Sequence, residues 1–466
     1  MRPHADGTIE TGAPRPGPAS ARGIAAATFA VAFVTASLMF DPAAARAQEP
    51  PPLTLHEVVE AALRTDPELA AARAGHRGAE ADVARARAGR LPNVTLEGSL
   101  TRFQEPMVVA PLHSFDPAAP PRFDETLVQG AARLRYTAFD GGATGARLSA
   151  ARSGAAAAEA GARARRMAVL ERAATAYFEV LAARAHEDAA TRRVEALVAE
   201  AERARRMAEA GSAPEVDVLR ASAALEEARA DAAGAKARTE LSERGLARAM
   251  DQPPDSVVDR SLTDITLAPS TDDPAPEPSH PELVRALEQE RAAEARLGGA
   301  RAARLPRLEV RAGLLDYGTV TGGHVAEWQA GVTLSWPLFT GGARGAAVRR
   351  AEAERAAARQ RRSAAERGVD RAVDAATAEI READARESAL AASVTQWEEV
   401  TRIEALALDA GSGVQSDLLA AEASLFRARA GLARARYDRV LARVRLARAR
   451  GTLNRDWLAR ALEENR

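Results

Sequence analysis

Residues 327–343 read EWQAGVTLSWPLFTGGA, and within this stretch the sequence changes its period. From Glu327 to Trp336 apolar and polar side chains alternate, which predicts a β-strand with one apolar and one wet face. After Gly341 no proline follows, and the chain is rich in Ala, Glu and Arg, the composition of long helices. The stretch therefore predicts a strand that leads directly into a long helix.

The chain contains an internal duplication. The segment FDGGA at 139–143 recurs 200 positions later as FTGGA at 339–343, and RLP at 90–92 recurs 214 positions later at 304–306. The difference of 14 positions (214 minus 200) falls in the proline-rich stretch 106–123, which predicts a longer loop in the first copy. The predicted organisation is a signal peptide at 1–47, a first repeat at 48–250, a proline-rich connector at 251–280, a second repeat at 281–450 and a C-terminal segment at 451–466.

Each repeat contains a helix much longer than a globular domain needs. No proline occurs in 141–210 or in 341–410, and about 70 helical residues would make a rod of roughly 105 Å. Each rod ends at a glycine, Gly211 or Gly411, which suits a left-handed C-cap. The chain then returns, so each repeat predicts a helical hairpin. The other predicted helices are the return arms, 214–250 and 414–450, and a single helix at 55–90, which could stack on the first return arm to match one rod.

Four strands of about ten residues, two in each repeat, carry an apolar face and a charged face, and that length spans a bilayer when a strand is tilted. Charges on the wet face are typical of a water-filled lumen, and aromatic residues near strand ends are typical of membrane girdles. The predicted lumen-facing residues are Glu97, Arg133, Arg135, Arg307, Glu309 and Arg311, and the predicted girdle residues are Tyr136, Trp328 and Trp336.

A soluble sheet with one face on a core would show the same alternation. The charges and the placement of the aromatic residues favour a membrane sheet. Four strands cannot close a barrel, and edges facing lipid are not tolerated, so several copies must complete it. Three copies would give 12 strands, an even number within the range of bacterial outer-membrane barrels.

Composition excludes several classes of function. The net charge of -1 offers no basic excess for nucleic acid, and the chain has no cysteine. The seven histidines include no i,i+4 pair, so the sequence predicts no metal site. We find no nucleophile with an adjacent base and no phosphate-binding loop, which predicts a protein that is not an enzyme and needs no cofactor.

The amino terminus predicts export. An apolar segment from Gly23 to Phe40 is followed by Ala45-Arg46-Ala47, which has the form that a signal peptidase accepts. The alternative is an N-terminal membrane anchor. No later segment gives about 18 consecutive apolar residues.

In the order and spacing of its motifs the mature chain resembles the TolC-type outer-membrane efflux proteins. The resemblance rests on the paired Pro-Glu-Leu and Leu-Pro motifs and on several further segments. These are Leu53-Thr54-Leu55 with Ala61, Ala62 and Leu63, Ala176-Tyr177-Phe178, Leu334 to Phe339 with Gly341-Gly342, and Ala410-Gly411-Ser412.

The resemblance implies a fold that is mainly α with a transmembrane β part. Three protomers would form a 12-stranded barrel in the outer membrane and a 12-helix tunnel through the periplasm, with an equatorial region from the connector and the C-terminal segment. It also implies a periplasmic adaptor, which docks at the helical tips, and an inner-membrane pump.

The family closes its periplasmic end with acidic side chains just after the tip glycines, and Asp217 and Asp417 stand at the matching positions. Where the family has a second acid and a tip arginine, this chain has Ala420 and Gly413, which leaves a single acidic ring. An Asp in the first turn of a helix also simply suits the helix dipole. The predicted aperture and docking residues are Gly211, Ser212, Asp217, Gly411, Ser412 and Asp417.

The leading functional hypothesis is a passive outer-membrane channel that exports small toxic compounds within a tripartite efflux system. Export of proteins through a one-step secretion system is the alternative within the transport class. A periplasmic coiled-coil spacer is the alternative outside it.

Overall fold

A computed structural model describes residues 52–113, 116–258, 260–267 and 280–464, so the signal-peptide prediction at 1–47 lies outside the described residues. The helices are α1 (Leu55–Thr65), α2 (Pro67–Ala88), α3 (Ala143–Glu209), α4 (Glu215–Ala249), α5 (Pro281–Ala302), α6 (Ala343–Asp409), α7 (Gln415–Ala449) and α8 (Arg455–Ala461). The strands are β1 (Asn93–Val108), β2 (Phe123–Phe139), β3 (Ile265–Leu267), β4 (Arg307–Gly318), β5 (Val325–Ser335) and β6 (Leu462–Glu464).

The long rods are confirmed. Helices α3 and α6 each contain 67 residues, which at 1.5 Å per residue gives a length of about 100 Å. Both hairpin turns use a glycine in the left-handed region, with φ of 72° at Gly211 and 71° at Gly411. The return helices α4 and α7 each contain 35 residues. The absence of proline and the terminal glycine were therefore enough to place both hairpins.

Two shorter helices lie end to end along each long one. Near the first half of α3, the Nη1 of Arg165 lies 2.9 Å from an oxygen of Glu68 in α2. Near its second half, the Nη1 of Arg193 lies 2.8 Å from an oxygen of Asp231 in α4. Helices α5 and α7 contact α6 in the same order, as shown by Arg362–Glu290 and Arg429–Glu398. The predicted stacking of short helices against a rod is confirmed.

The prediction of one helix over 55–90 is wrong, because the chain breaks at Asp66 into α1 and α2. Pro67 disfavours helical geometry at the residue before it, and Asp66 has φ −59° and ψ 117°. The Asp66 carboxylate accepts a hydrogen bond from the backbone N–H of Leu69 at 2.7 Å, which starts α2 as a separate helix. As a result α1 joins the central core while α2 runs along α3.

The main core lies at the middle of α3. Tyr177 and Phe178 are fully buried there with Val58 of α1 and Leu246 of α4. Strand β3, from the connector, pairs antiparallel with β6 from the C-terminal segment. Ile265 of β3 and Leu462 of β6 belong to the same core. The core thus gathers α1, the ends of α4 and α7, and the two irregular segments around one level of the long helix.

The larger sheet has the strand order β1-β2-β4-β5, with antiparallel neighbours throughout. Strands β4 and β5 have 12 and 11 residues, close to the predicted ten, but β1 and β2 have 16 and 17. The prediction of an irregular stretch at 106–123 is therefore wrong at its two ends, since β1 runs to Val108 and β2 starts at Phe123. A register shift between Arg102 and Met107 interrupts the alternation and hides the outer part of this hairpin.

The hydroxyl of Tyr177 lies 3.0 Å from the carbonyl oxygen of Leu53, which is buried, and 2.6 Å from that of Thr263, which is partly buried. We expect Tyr177→Phe to lower the free energy of unfolding by about 1–3 kcal/mol, because these carbonyls lose their donor while the packing is kept. Denaturant unfolding in detergent, followed by circular dichroism, measures this. Tyr136→Phe on the exposed sheet is the matched control, and equal effects of the two changes would contradict the assignment.

Candidate functional site

The six charged residues predicted to face a lumen all lie on one face of the four-stranded sheet. The register places Arg135 of β2 opposite Arg311 of β4, and Glu97 of β1 forms an ion pair with Arg133 of β2. On β4 the Oε2 of Glu309 lies 2.9 Å from the Nη2 of Arg311, and its Oε1 lies 3.7 Å from the Nη1 of Arg307. The two glutamates are thus paired with arginines, but Arg135 and Arg311 face each other, so these six residues carry an excess of positive charge.

This polar face is concave and open. A depression of about 600 Å³ lies over it, lined by side chains of all four strands, including Asn93, Thr95, Gln329 and Thr333. Its lining contains hydroxyl, amide and charged groups of both signs beside apolar residues of the same strands. Polar and charged groups of this kind are typical of a surface that faces water. The assignment of these residues to a lumen stays a prediction.

The opposite face of the same sheet is apolar and exposed. Leu96 is 86 % exposed and Trp328 is 76 % exposed, and their neighbours on this face resemble them. A contiguous apolar surface of this kind is not stable against water and must be covered by lipid or by protein. The further apolar side chains on this face that are at least 65 % exposed are Val94, Leu100, Leu314, Val332 and Leu334.

The three predicted girdle residues lie toward two levels of this apolar face. Tyr136 and Trp336 lie at the end of the sheet nearest the long helices, and the indole Nε1 of Trp336 donates to the carbonyl of Arg304 at 3.2 Å. Trp328 lies eight residues before Trp336, which is about 26 Å along an extended strand. Because barrel strands are tilted, the two tryptophans differ in height by less than this distance, which fits within an apolar band about 25 Å tall. The girdle role itself stays a prediction.

Paired glycines join each sheet hairpin to its rod. Gly141 and Gly142 have φ of 66° and 93°, and a Cβ at Gly141 would lie 2.8 Å from the side chain of Leu305. Asp140 then accepts hydrogen bonds from the backbone N–H of Thr144 at 2.8 Å and from its hydroxyl at 2.6 Å. The turn therefore needs glycine both for its backbone and for its close approach to the second repeat.

At the tips, the predicted serines use their hydroxyls to finish the long helices. The hydroxyl of Ser212 donates to the carbonyl of Met207 at 3.0 Å, and that of Ser412 donates to the carbonyl of Ala407 at 3.2 Å. Gly211 and Gly411 supply the left-handed turns between the helices. These four residues shape the tips, and their predicted role in docking stays a prediction.

The two tip aspartates differ in their surroundings. Asp217 is partly covered and lies 3.2 Å from the Nη1 of Arg220, one turn further along α4. Asp417 is exposed, and among its described neighbours it accepts a hydrogen bond from the hydroxyl of Ser416 at 3.3 Å. Asp417 therefore presents the freer carboxylate at the tip. Its predicted role at an aperture stays a prediction.

A buried polar cluster that the sequence did not reveal links the two hairpins near the tips. The side-chain amide of Gln415 donates to Glu200 at 2.6 Å, and both side chains are buried. The Nη1 of Arg203 lies 2.9 Å from Asp409. In the sequence, the one sign of this cluster is Glu200, an acidic residue among the apolar positions that form the buried face of α3. Its partners are about 200 residues away in sequence, and no local pattern connects them.

The carboxyl of Glu422 belongs to this cluster. Burial between the hairpins and the negative charge of Glu200 raise the pKa of Glu422 to about 7, although Arg193 and Arg203 oppose the shift. One oxygen of Glu422 is buried and has no hydrogen-bond partner among the described residues. This pKa predicts that the contact between the hairpins responds to protonation near neutral pH.

Within residues 52–113, 116–258, 260–267 and 280–464, no group of three or more His, Asp or Glu side chains is placed to hold a metal ion. None of the helices in these ranges is both long and apolar enough to cross a membrane.

Known proteins share this fold. The family model of the outer membrane efflux protein matches residues 58–252 and 278–452. The outer membrane protein VceC of Vibrio cholerae superimposes with a TM-score of 0.75 at 23 % identity, over 85 % of this chain and 96 % of that one. The Campylobacter jejuni CmeC outer membrane channel gives 0.75 at 20 % identity, over 85 % of both chains. The Neisseria gonorrhoeae MtrE outer membrane channel gives 0.69 at 20 % identity, over 86 % and 91 %. No curated protein sequence matches the chain.

The raised pKa of Glu422 gives a stability prediction. Between about pH 4.5 and pH 7 the folded protein holds a proton that the unfolded chain has released, so stability falls as the pH rises through this window. We expect Glu422→Gln to remove this part of the pH dependence and to raise the unfolding temperature at about pH 8 relative to the parent. Thermal unfolding in detergent at several pH values measures it.

Glu398→Gln is the control, because Glu398 is an exposed carboxylate that pairs with Arg429 at 2.8 Å. The control should keep the parent's pH dependence. A pH dependence of Glu422→Gln equal to that of the parent would contradict the assignment.

Proposed function

We propose that this chain, which belongs to the outer membrane efflux protein family, is the outer-membrane channel component of a tripartite efflux system and serves as a passive conduit for small toxic compounds. Membership of the family makes it a transport channel rather than an enzyme. The observation that carries the finer proposal is the four-stranded sheet, which is apolar and exposed on one face and charged on the other.

Outer-membrane placement follows from the two faces. The apolar side would contact lipid, and the polar side would face water, as in the barrels that cross bacterial outer membranes. A four-stranded sheet leaves β1 and β5 with one unpaired edge each within the protomer. Unpaired backbone groups in lipid are strongly unfavourable, so neighbouring copies must pair with these edges. Three copies give a closed barrel of 12 strands, and we propose that homotrimer.

The long helices supply the periplasmic part of the conduit. Helices α3 and α6, each about 100 Å long, follow strands β2 and β5 after three and seven residues, and each begins just after a glycine pair. Three protomers would contribute 12 columns of helix to a tunnel beneath the barrel. The hairpin tips around Gly211 and Gly411, which lie farthest from the sheet, are the proposed docking sites for a periplasmic adaptor coupled to an inner-membrane pump.

The polar face is an open depression with charges of both signs, four arginines and two glutamates among the six predicted residues. We therefore assign the energy and the choice of cargo to the pump, and no cofactor is required. Protein secretion through a one-step system is the second candidate within the same architecture. A soluble coiled-coil spacer is disfavoured by the exposed apolar face, which would serve no purpose in water.

Adjacent residues of β5 test the proposed membrane face. Val332 lies midway between Trp328 and Trp336 on the apolar face and is 66 % exposed, while Thr333 lies opposite Glu309 on the polar face. We expect Val332→Arg to disfavour insertion by about 2–4 kcal/mol, since a guanidinium at the bilayer midplane is poorly solvated, and Thr333→Arg to be tolerated. The measurement is the share of each variant found as trimer in the outer-membrane fraction.

The functional readout uses cells that lack their own efflux channel and carry the matching adaptor and pump. Thr333→Arg should restore resistance to toxic small molecules as the parent does, and Val332→Arg should not. Equal insertion of both variants, or a parent protein found with soluble periplasmic protein, would overturn the proposal.

A further inference from the structure

The β1–β2 hairpin is much longer than the β4–β5 hairpin. Its strands join through residues 109–122, whereas β4 and β5 join through 319–324. On β2, Phe123 lies eight residues beyond Ala131, which is about 26 Å along an extended strand. A straight hairpin would therefore project far past the end of β5, whose pairing with β4 stops at Val325.

The hairpin does not project, because its tip contacts β5. The Nε2 of His113 lies 2.7 Å from a carboxylate oxygen of Glu327. In the register Glu327 is opposite Leu315, and Leu315 is opposite Ala131. The tip has thus come back to the level of Ala131 and crosses to the far strand of the sheet. The register shift between Arg102 and Met107 on β1 is the kind of irregularity that bends a hairpin in this way.

The contact lies on the polar face. Glu327 alternates with Trp328 of the apolar face, and it belongs to the same row as Glu97. The outer part of this face is also covered, since Leu127, Ala131 and Leu315 are all less than 9 % exposed. Apolar side chains on the opposite face of these strands are 65 % exposed or more at many positions.

Contacts of Val109 and Arg122, two other residues of this connection, also agree with a hairpin that folds over the sheet. Val109 is 4 % exposed and donates its backbone N–H to the carbonyl of Arg122 at 2.9 Å. The side chain of Arg122 reaches the β4–β5 turn, where a Cβ at Gly323 would lie 2.8 Å from its Nη1. The connection therefore contacts the second repeat at two places, through Arg122 at the β4–β5 turn and through His113 on β5.

We propose that the outer part of the β1–β2 hairpin, held across the polar face by the hydrogen bond between His113 and Glu327, forms a constriction at the outer mouth of the conduit and sets the largest solute that passes. This inference rests on the proposed function, because the polar face lines a conduit only in the assembled barrel. In a trimer three such hairpins point toward one axis. The insertion of 14 residues that distinguishes the two repeats then has a specific role.

A thiol-labelling experiment on intact cells tests the constriction. The chain has no cysteine of its own, so only the introduced thiol can be labelled on this protein. Thr333→Cys places a thiol on the polar face, on the helical side of the hairpin, and Thr321→Cys places one in the exposed β4–β5 turn. Each is made in the full chain and in a shortened chain in which Asn-Gly replaces residues 103–125. The shortened turn joins Arg102 to Thr126, which are register partners.

Impermeant maleimides of two sizes, one small and one attached to a long polyethylene glycol, are added from outside. We expect the large reagent to label Thr333→Cys at least about tenfold faster in the shortened chain, because pore diameter limits its entry, while the small reagent labels both alike. Thr321→Cys should react with both reagents in both chains.

Equal labelling of Thr333→Cys by the large reagent in the two chains would overturn the constriction and leave the proposed function intact. If the small reagent labels Thr321→Cys but not Thr333→Cys in either chain, the polar face does not line a water-filled lumen. That result would contradict the proposed function as well.

A cross-linking experiment in the full-length chain covers the case in which the shortened chain does not fold. His113→Cys is combined with Glu327→Cys, or with Ser335→Cys on the same face about 26 Å further along β5. A short bifunctional thiol reagent should join the first pair within one protomer and leave the second pair unjoined. No cross-link in the first pair, or equal cross-linking of both pairs, would overturn the proposal.

Discussion

An exposed apolar sheet face with two unpaired edges is the constraint on which the rest of the structure depends. Leu96 and Trp328, both more than three-quarters exposed, cannot be stable in water over so wide a surface. Lipid would cover the face, but lipid offers no partner for the backbone groups at the edges of β1 and β5. Both requirements are met when copies of the chain close the sheet around a wet interior, and the paired charges of Glu97 and Arg133 then lie in water.

The helical part carries this sheet at the end of two long rods. A glycine pair precedes each long helix, and Gly141 packs against Leu305 of the second repeat. At mid-height the core around Tyr177 fixes both hairpins to the connector and the C-terminal segment. Nearer the tips, contact between the hairpins depends on the polar cluster of Glu200, Gln415 and Glu422. Packing is therefore firm at the middle of the rods and sensitive to charge toward their ends.

Local patterns were sufficient for most of the fold. Missing prolines and the tip glycines fixed the rods to within a few residues, and period-two alternation placed four strands and assigned their faces. Pro67 was visible in the sequence, but helical composition on both sides of it concealed the break between α1 and α2. The outer part of the β1–β2 hairpin was missed because a register shift interrupts its alternation.

The parts of the site that could not be predicted depend on contacts between distant segments. Gln415 and Glu200 are 215 positions apart, and His113 and Glu327 are 214 apart. Neither pair leaves a periodic signal, since each residue is an ordinary polar side chain in its own segment. Sequence placed Asp217 and Asp417 at the tips by spacing alone, and the structure adds that Asp417 is the more exposed of the two.

The most direct measurement is single-channel current across a planar bilayer, recorded with purified protein whose mass in detergent is determined on the same sample. We expect a complex of three protomers that conducts ions. A monomer that does not conduct and remains soluble without detergent would contradict the barrel, and with it the proposal that this chain is a conduit.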